Sequence, residues 1–164
     1  MSDTKKEWLT AIGKIAATIL LVYLAIHFLI GIHIYHGNYM APWMRDGDLV
    51  ITSRIEERMV NRVAAYKYAD GSTRFGRIIA VPGDVVNIDA EGHYFINNNV
   101  PLEQVYYDTA VTDECIAFPY TVPDDTLFIL NDMREDMNDS RMAGAIPTSD
   151  IEGIVYFTMS RRGF

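Results

Sequence analysis

A run of apolar residues from Ile15 to Tyr35 dominates the hydrophobic pattern of the chain and contains no formally charged residue. At a rise of about 1.5 Å per residue, a helix of about twenty residues spans roughly 30 Å, the thickness of a bilayer core. A cleaved secretory signal would have a shorter apolar region followed by small residues, whereas this run ends in bulky side chains. The pattern therefore predicts a retained transmembrane anchor at residues 15–35.

The charges beside this anchor predict its orientation. The nearby lysines, Lys5, Lys6 and Lys14, all precede it. Positively charged flanks of a membrane span stay on the cytoplasmic side. We therefore expect a single-pass protein of the cell membrane, with residues 1–14 in the cytoplasm and residues 36–164 outside it.

Residues 36–164 show short apolar runs separated by turn residues and no long apolar pattern of helical period. Asp-Gly, Pro-Gly and Glu-Gly dipeptides begin at positions 70, 82 and 91. Many short strands at this spacing are typical of β-barrels and of packed β-sheets. The sequence therefore predicts an all-β domain, built as a barrel or as packed sheets, behind one N-terminal transmembrane helix. The apolar runs are LVITS, VAAYKY, TRFGRIIAV, VVNI, HYFI, TLFIL and GIVYFT.

The net charge excludes one class of partner from this outer domain. The whole chain carries −8, and because residues 1–35 carry +1, the remainder carries −9. Binding to nucleic acid needs clustered Lys and Arg, so we expect no nucleic-acid partner. The single cysteine, Cys115, cannot form an internal disulfide and is expected to be a small buried side chain.

The stretch HGNYMAPWMRDGDLVI, at residues 36–51, combines two turns, a proline and the apolar start of a strand. It resembles the first box of the signal peptidase I family, Gly-x-Ser-Met-x-Pro-x-x-x-x-Gly-Asp, which follows a membrane anchor. The matching residues include Met40, Pro42, Gly47 and Asp48. In the family the serine is the nucleophile, and here Tyr39 stands in its place.

The segment FGRIIAVPGD, at residues 75–84, resembles the second box of the same family, Lys-Arg-Val-x-Gly-x-Pro-Gly-Asp. In that box the lysine is the general base, and here Gly76 falls in its position while Arg77 matches. Lys67 is the only lysine in residues 36–164. A predicted hairpin turn at residues 70–71 places it several residues away from Gly76, so we expect Lys67 to lie on a solvated face.

The third resembling segment, VPDDTLFILNDMREDMNDSR, covers residues 122–141. Met137 falls where the family often has a second serine that hydrogen-bonds the lysine. Arg77, Asp139 and Arg141 match positions that form an ion cluster under the family's active site. The resemblance therefore implies a structural cluster of these three residues, and we expect Asp139 to contact at least one of the two arginines.

Three linked replacements, Tyr39, Gly76 and Met137, are explained more simply by loss of the reaction than by an unusual nucleophile, since a phenol with a pKa near 10 needs a base to activate it. The combination resembles the pilus-associated, signal-peptidase-like proteins of Gram-positive bacteria, the SipA type. These lack the catalytic pair and act as chaperone-like accessories when sortases polymerise pilins. The resemblance implies a pseudo-enzyme without metal or cofactor, whose partners are the membrane and pilin subunits or the pilus sortase.

Two other functions stay open at this stage. One is a working signal peptidase that uses an unusual residue or chemistry supplied by a partner chain. The other is a regulator that binds signal peptides and is unrelated to pili.

The residues beside Tyr39 yield two further expectations. Met40, Trp43 and Met44 form an apolar group that rests on the membrane, covers an apolar peptide or packs the domain's own core. Because protein interiors are close-packed, we also expect the Tyr39 ring to fill the space that the lysine vacates at Gly76, with Met137 nearby.

Overall fold

The computed structural model, which describes residues 3–101 and 108–160, begins with a long helix, α1 (Asp3–Leu29). Within it, Glu7–Leu29 is long and apolar enough to cross a membrane by length and composition. The next five residues do not continue the helix but form strand β1 (Ile30–Ile34). The helix therefore ends at Leu29, six residues before the end of the anchor predicted at 15–35, and that anchor stays a prediction. The isoleucines at 30, 32 and 34 alternate as a strand requires, and their β-branched side chains favour it.

Among the described residues, nine further strands and one short helix follow. They are β2 (Leu49–Ser53), β3 (Val63–Lys67), β4 (Thr73–Ala80), β5 (Val85–Ile88), β6 (Tyr94–Ile96), β7 (Tyr120–Thr121), β8 (Thr126–Leu130), α2 (Ser140–Ala143), β9 (Ile146–Pro147) and β10 (Ile151–Met159). A single 3-10 turn, Thr148–Asp150, precedes the last strand. The predicted all-β domain behind one apolar N-terminal helix is confirmed.

In the part of the chain that the structure describes, the strands form two antiparallel sheets. Seven strands pair in the order β1-β2-β10-β3-β4-β8-β9, and three pair in the order β6-β5-β7. The larger sheet curls into a half-barrel, and its curl brings β1 close to β4. The ring centroids of His33 on β1 and Phe75 on β4 are 5.7 Å apart.

The interior of the curl contains the part of the core that positions the site. Here the buried cluster combines Tyr35 and Phe75 with methionines from the loop between β1 and β2. The ring of Tyr35 lies 5.6 Å from that of Phe75, and its hydroxyl accepts a hydrogen bond of 2.9 Å from the Met40 backbone N–H. A buried tyrosine thus fixes the segment that leads to Tyr39.

Candidate functional site

Tyr39 lies in the turn that follows β1, where the resemblance puts a nucleophile. Its ring packs edge-on against Tyr35, with centroids 5.1 Å apart. Gly37 has a φ of +104°, and a Cβ there would lie 3.0 Å from the Tyr39 ring, so only glycine allows this turn and this ring position together. The Tyr39 carbonyl accepts a hydrogen bond of 2.9 Å from Met133, which ties the first segment to the third.

The surroundings of the Tyr39 hydroxyl favour its neutral form. Burial is the largest cause, and it raises the pKa of Tyr39 above its usual 10. Lys67 is exposed and pairs in register with Thr73, whereas Gly76 pairs with Ala64. The phenol is therefore protonated at neutral pH, and the one lysine of the outer domain lies further along the hairpin.

The space beside Gly76 is filled from two other strands. A Cβ added at Gly76 would overlap the Cγ2 atom of Ile129 and would lie 3.4 Å from the Tyr66 ring. The prediction that Tyr39 fills this space was wrong, because the nearest side chains come from β3 and β8. Tyr66 and Ile129 lie next to Gly76 because their strands, β3 and β8, flank β4 on either side.

Tyr66 brings a second buried phenol to this region. The side chain is fully buried, burial raises the pKa of its hydroxyl, and within the described residues that hydroxyl has no hydrogen-bond partner. Met137, expected beside Gly76, instead has its sulfur 4.0 Å from the Cys115 thiol. Cys115 is partly buried rather than fully buried.

The arginines expected in one ion cluster belong to two pairs. Asp139 and Arg141 are both fully buried, and the carboxylate accepts hydrogen bonds of 2.9 and 2.7 Å from the Arg141 guanidinium. Arg77 donates bonds of 2.7 and 2.6 Å to Asp132. The expectation that Asp139 contacts at least one of the two arginines is confirmed by its pairing with Arg141. The expectation of one cluster of three residues is corrected, because Arg77 on β4 pairs with Asp132 instead.

The three apolar residues after Tyr39 do not form one binding surface. Met40 and Met44 are buried in the core, whereas Trp43 is 65% exposed. Met44 donates a backbone hydrogen bond of 3.0 Å to Met40, so the segment makes one helical turn that directs both methionines inward. The predicted binding group is therefore reduced to Trp43, and the core-packing alternative applies to both methionines.

A different apolar surface extends directly from the end of α1. On the outer face of the sheet, the register aligns Ile32 with Ile51 and Phe157, and Ile34 with Leu49 and Met159. The side chains of Ile32 and Ile34 are 66% and 60% exposed. An exposed apolar face that begins one residue after a membrane-length helix suits contact with lipid.

A groove of about 540 Å³ lies between β1 and the start of β4. Its walls include Ile34 and Tyr39 on one side and Thr73 and Phe75 on the other. Sequence reasoning missed Tyr66 and Ile129 as neighbours of Gly76, and Asp132 as the partner of Arg77. Only Asp132 carried a signal, because it matches the third family segment; the other two are ordinary strand residues.

A membrane-length helix followed by this half-barrel, with the three segments assembled around the Tyr39 turn, defines a protein of the signal peptidase class. The sequence profile described as signal peptidase, peptidase S26, matches residues 6–160, and the chain belongs to this family.

Two relatives and one solved structure illustrate the similarity. Signal peptidase IB of Staphylococcus aureus is 28% identical over 93% of this chain and 90% of its own length. Signal peptidase I P of Bacillus subtilis subsp. natto is 26% identical, covering 95% of this chain and 92% of its own. A crystal structure of a signal peptidase I from Enterococcus faecalis superposes with a TM-score of 0.53 at 21% identity, covering 62% of this chain and 99% of that one, which supports the fold.

Proposed function

We propose that this protein is a membrane-anchored, non-catalytic signal-peptidase-like accessory of sortase-mediated pilus assembly. Its N-terminus is cytoplasmic and its β domain is extracytoplasmic, since the lysines near the anchor precede it. Its partners are pilin subunits or the pilus sortase.

The observation that carries the non-catalytic part is the packing around Gly76. A serine/lysine pair works only if a desolvated amine reaches the hydroxyl. Here Ile129 and Tyr66 fill the position that an amine would need, and burial favours the protonated form of the Tyr39 phenol. Among the described residues, this packing leaves Tyr39 without an amine to act as its base.

The pilus part rests on the resemblance to the SipA-type proteins, which lack the same catalytic pair. A specific observation favours the alternative of signal-peptide processing: the similar proteins from S. aureus and B. subtilis are named signal peptidases and align over nearly their whole length. In that alternative, an unusual residue or a partner chain supplies the chemistry. A signal-peptide-binding regulator is the third candidate.

A cleavage assay tests the non-catalytic proposal. The purified full chain in detergent is incubated with a secretory preprotein, beside a working signal peptidase as positive control. We expect no cleavage above the buffer blank, and none from Tyr39→Ser, whose hydroxyl would still lack an amine. The double variant Tyr39→Ser with Gly76→Lys stays inactive because the new side chain overlaps Ile129. Cleavage by the natural chain that disappears in Tyr39→Phe would refute the proposal.

Deletion of the gene in the source organism tests the pilus assignment. We expect pilin polymers to be lost from cell-wall extracts while secreted proteins are still processed. Intact pili together with accumulated, uncleaved preproteins would favour the processing alternative instead. Pilin and sortase genes beside this gene would separate a pilus accessory from a general regulator.

A further inference from the structure

The loop that joins β2 to β3 lies against the end of α1. The Arg54 N–H donates a hydrogen bond of 2.9 Å to the Leu29 carbonyl. The Arg54 guanidinium donates another, of 3.2 Å, to the His27 carbonyl, so two contacts fix the start of the loop to the last turn of the helix. Because that helix is of membrane length, apolar side chains on this loop suit the bilayer surface. The exposed apolar residues of the loop are Ile55, Met59 and Val60.

A recess of about 450 Å³ lies where this loop reaches β3. Val155 and Thr158 of β10 line the recess. Phe157 and Met159 of the same strand are exposed and belong to the outer apolar face of the sheet. The recess therefore adjoins two exposed apolar borders, the loop and the outer sheet face.

The recess contains one accessible guanidinium, that of Arg62. The side chain is 40% exposed, and among the described residues its polar contacts, with the Glu56 carboxylate and the Val155 carbonyl, both use Nη2. Its Nε and Nη1 atoms therefore keep N–H donors for an anion. Arg77 also lines the recess, but its guanidinium already donates two hydrogen bonds to Asp132.

The recess also contains an exposed tryptophan. Trp43 lines it beside Met44, and unlike that methionine its side chain is open to solvent. Tryptophan is enriched at the interface between membrane and water, and guanidinium groups bind phosphate through several N–H donors. An aromatic ring, a guanidinium and apolar borders are the groups that fit a phospholipid at the level of its glycerol and phosphate.

We propose that this recess binds a phospholipid of the outer leaflet, with Arg62 donating to the phosphate and Trp43 packing against the glycerol and the first acyl carbons. The occupant is a membrane lipid because the apolar borders of the recess begin at the end of α1. Residues 36–164 carry −9, so the domain as a whole is not drawn to an anionic surface, and contact with phosphate needs a local cation. The inference rests on the proposed membrane anchoring and is independent of the pilus role and of the absence of catalysis.

Tryptophan fluorescence tests the location of the recess. In a Trp8→Phe background, Trp43 is the one tryptophan of the chain. With the full chain in nanodiscs, we expect strong quenching of Trp43 by a phospholipid that carries a nitroxide on its headgroup. A nitroxide near the end of the acyl chain should quench it weakly, because the ring lies at the interface. Trp43 emission that the headgroup label leaves unchanged would overturn the proposal.

Binding of a short-chain lipid tests the role of Arg62. The full chain is kept in an uncharged detergent, and dihexanoyl phosphatidylglycerol is added below the concentration at which it forms micelles. We expect a saturable change in Trp43 emission, and Arg62→Gln should weaken the affinity at least about fivefold. Glu56→Gln should strengthen it, because the neighbouring carboxylate no longer competes with the phosphate.

Arg58→Gln is the matched control. Arg58 is an exposed arginine of the same loop that does not line the recess, so its loss should change the affinity less than about twofold. Equal weakening by Arg58→Gln and Arg62→Gln would show a general charge effect and overturn the site. Thermal unfolding shows that each variant is folded.

Three further probes identify the occupant. Inorganic phosphate should bind much more weakly than the short-chain lipid, and dihexanoylglycerol, which lacks the phosphate, should not distinguish the natural chain from Arg62→Gln. Phosphate that binds as tightly as the lipid would overturn the assignment to the membrane. An acidic peptide that changes Trp43 emission where the lipid does not would overturn it in favour of a protein partner. None of these outcomes alters the cleavage and deletion tests, which decide on the proposed function separately.

Discussion

The buried pair of Asp139 and Arg141 yields the most quantitative prediction. Both side chains are fully buried, and Asp139 accepts four hydrogen bonds: 2.9 and 2.7 Å from the Arg141 guanidinium, 3.0 Å from the Arg141 backbone and 3.0 Å from the Asn131 backbone. In Asp139→Asn the shape is kept but the charge is lost. A buried guanidinium is then left without its counter-charge.

Breaking a buried ion pair by removing one partner costs about 3–5 kcal/mol. The free energy of unfolding of a domain is about 5–15 kcal/mol, so this single change removes a large part of it. At about 2–4 °C per kcal/mol for a chain of this size, the melting temperature should fall by roughly 6–20 °C.

Urea unfolding of the full chain in detergent, followed by tryptophan fluorescence, measures this loss. Glu56→Gln is the control, since it removes the partner of the more exposed Arg62 and should cost no more than about 1 kcal/mol. A loss for Asp139→Asn as small as that of the control would show that the pair is not buried as the structure describes.

Three further predictions concern other parts of the domain. Gly76→Ala should destabilise by about 1–3 kcal/mol in the same urea assay, because the added methyl overlaps Ile129, and an unchanged midpoint would contradict the described packing. Burial lowers the pKa of His33 below its usual 6.5, so the unfolded state binds the proton first as the pH falls. The contribution of His33 to the free energy of unfolding should therefore be constant above about pH 6.5 and fall as the pH drops below it. A pH series on His33→Gln should lack this contribution. A fluorescent amino acid in place of Ile32 should be quenched by nitroxide-labelled lipid in nanodiscs, whereas one in place of Lys67 should not, and equal quenching would contradict lipid contact by the outer sheet face.

The strand content could be predicted from the sequence because period-two runs and turn dipeptides are local signals. The end of the anchor could not, since the isoleucines at 30, 32 and 34 are equally apolar in a lipid-embedded helix and in an edge strand. What decides between them is pairing with β2, fifteen or more residues away along the chain.

The candidate site shows the same division between local and non-local information. The positions of Tyr39 and Gly76 followed from matching segments, but their neighbours did not. Tyr66 and Ile129 reach Gly76 only because β3 and β8 flank β4, and nothing in their own spacing indicates this. By contrast, the inward direction of Met40 and Met44 was accessible, because a spacing of four residues places both on one face of a helical turn.

The direct passage from α1 into β1 fixes how far the groove can stand from the bilayer. Leu29 ends the helix and Ile30 begins the strand, so no flexible linker separates α1 from β1. At about 3.3 Å per strand residue, Ile34 lies at most about 13 Å beyond Ile30. In the proposed function, a soluble client diffusing far from the membrane would be out of reach, whereas a chain that has just left the lipid would expose its first extended residues at this height. The proposed accessory would thus select clients by their distance from the membrane before any side chain is recognised.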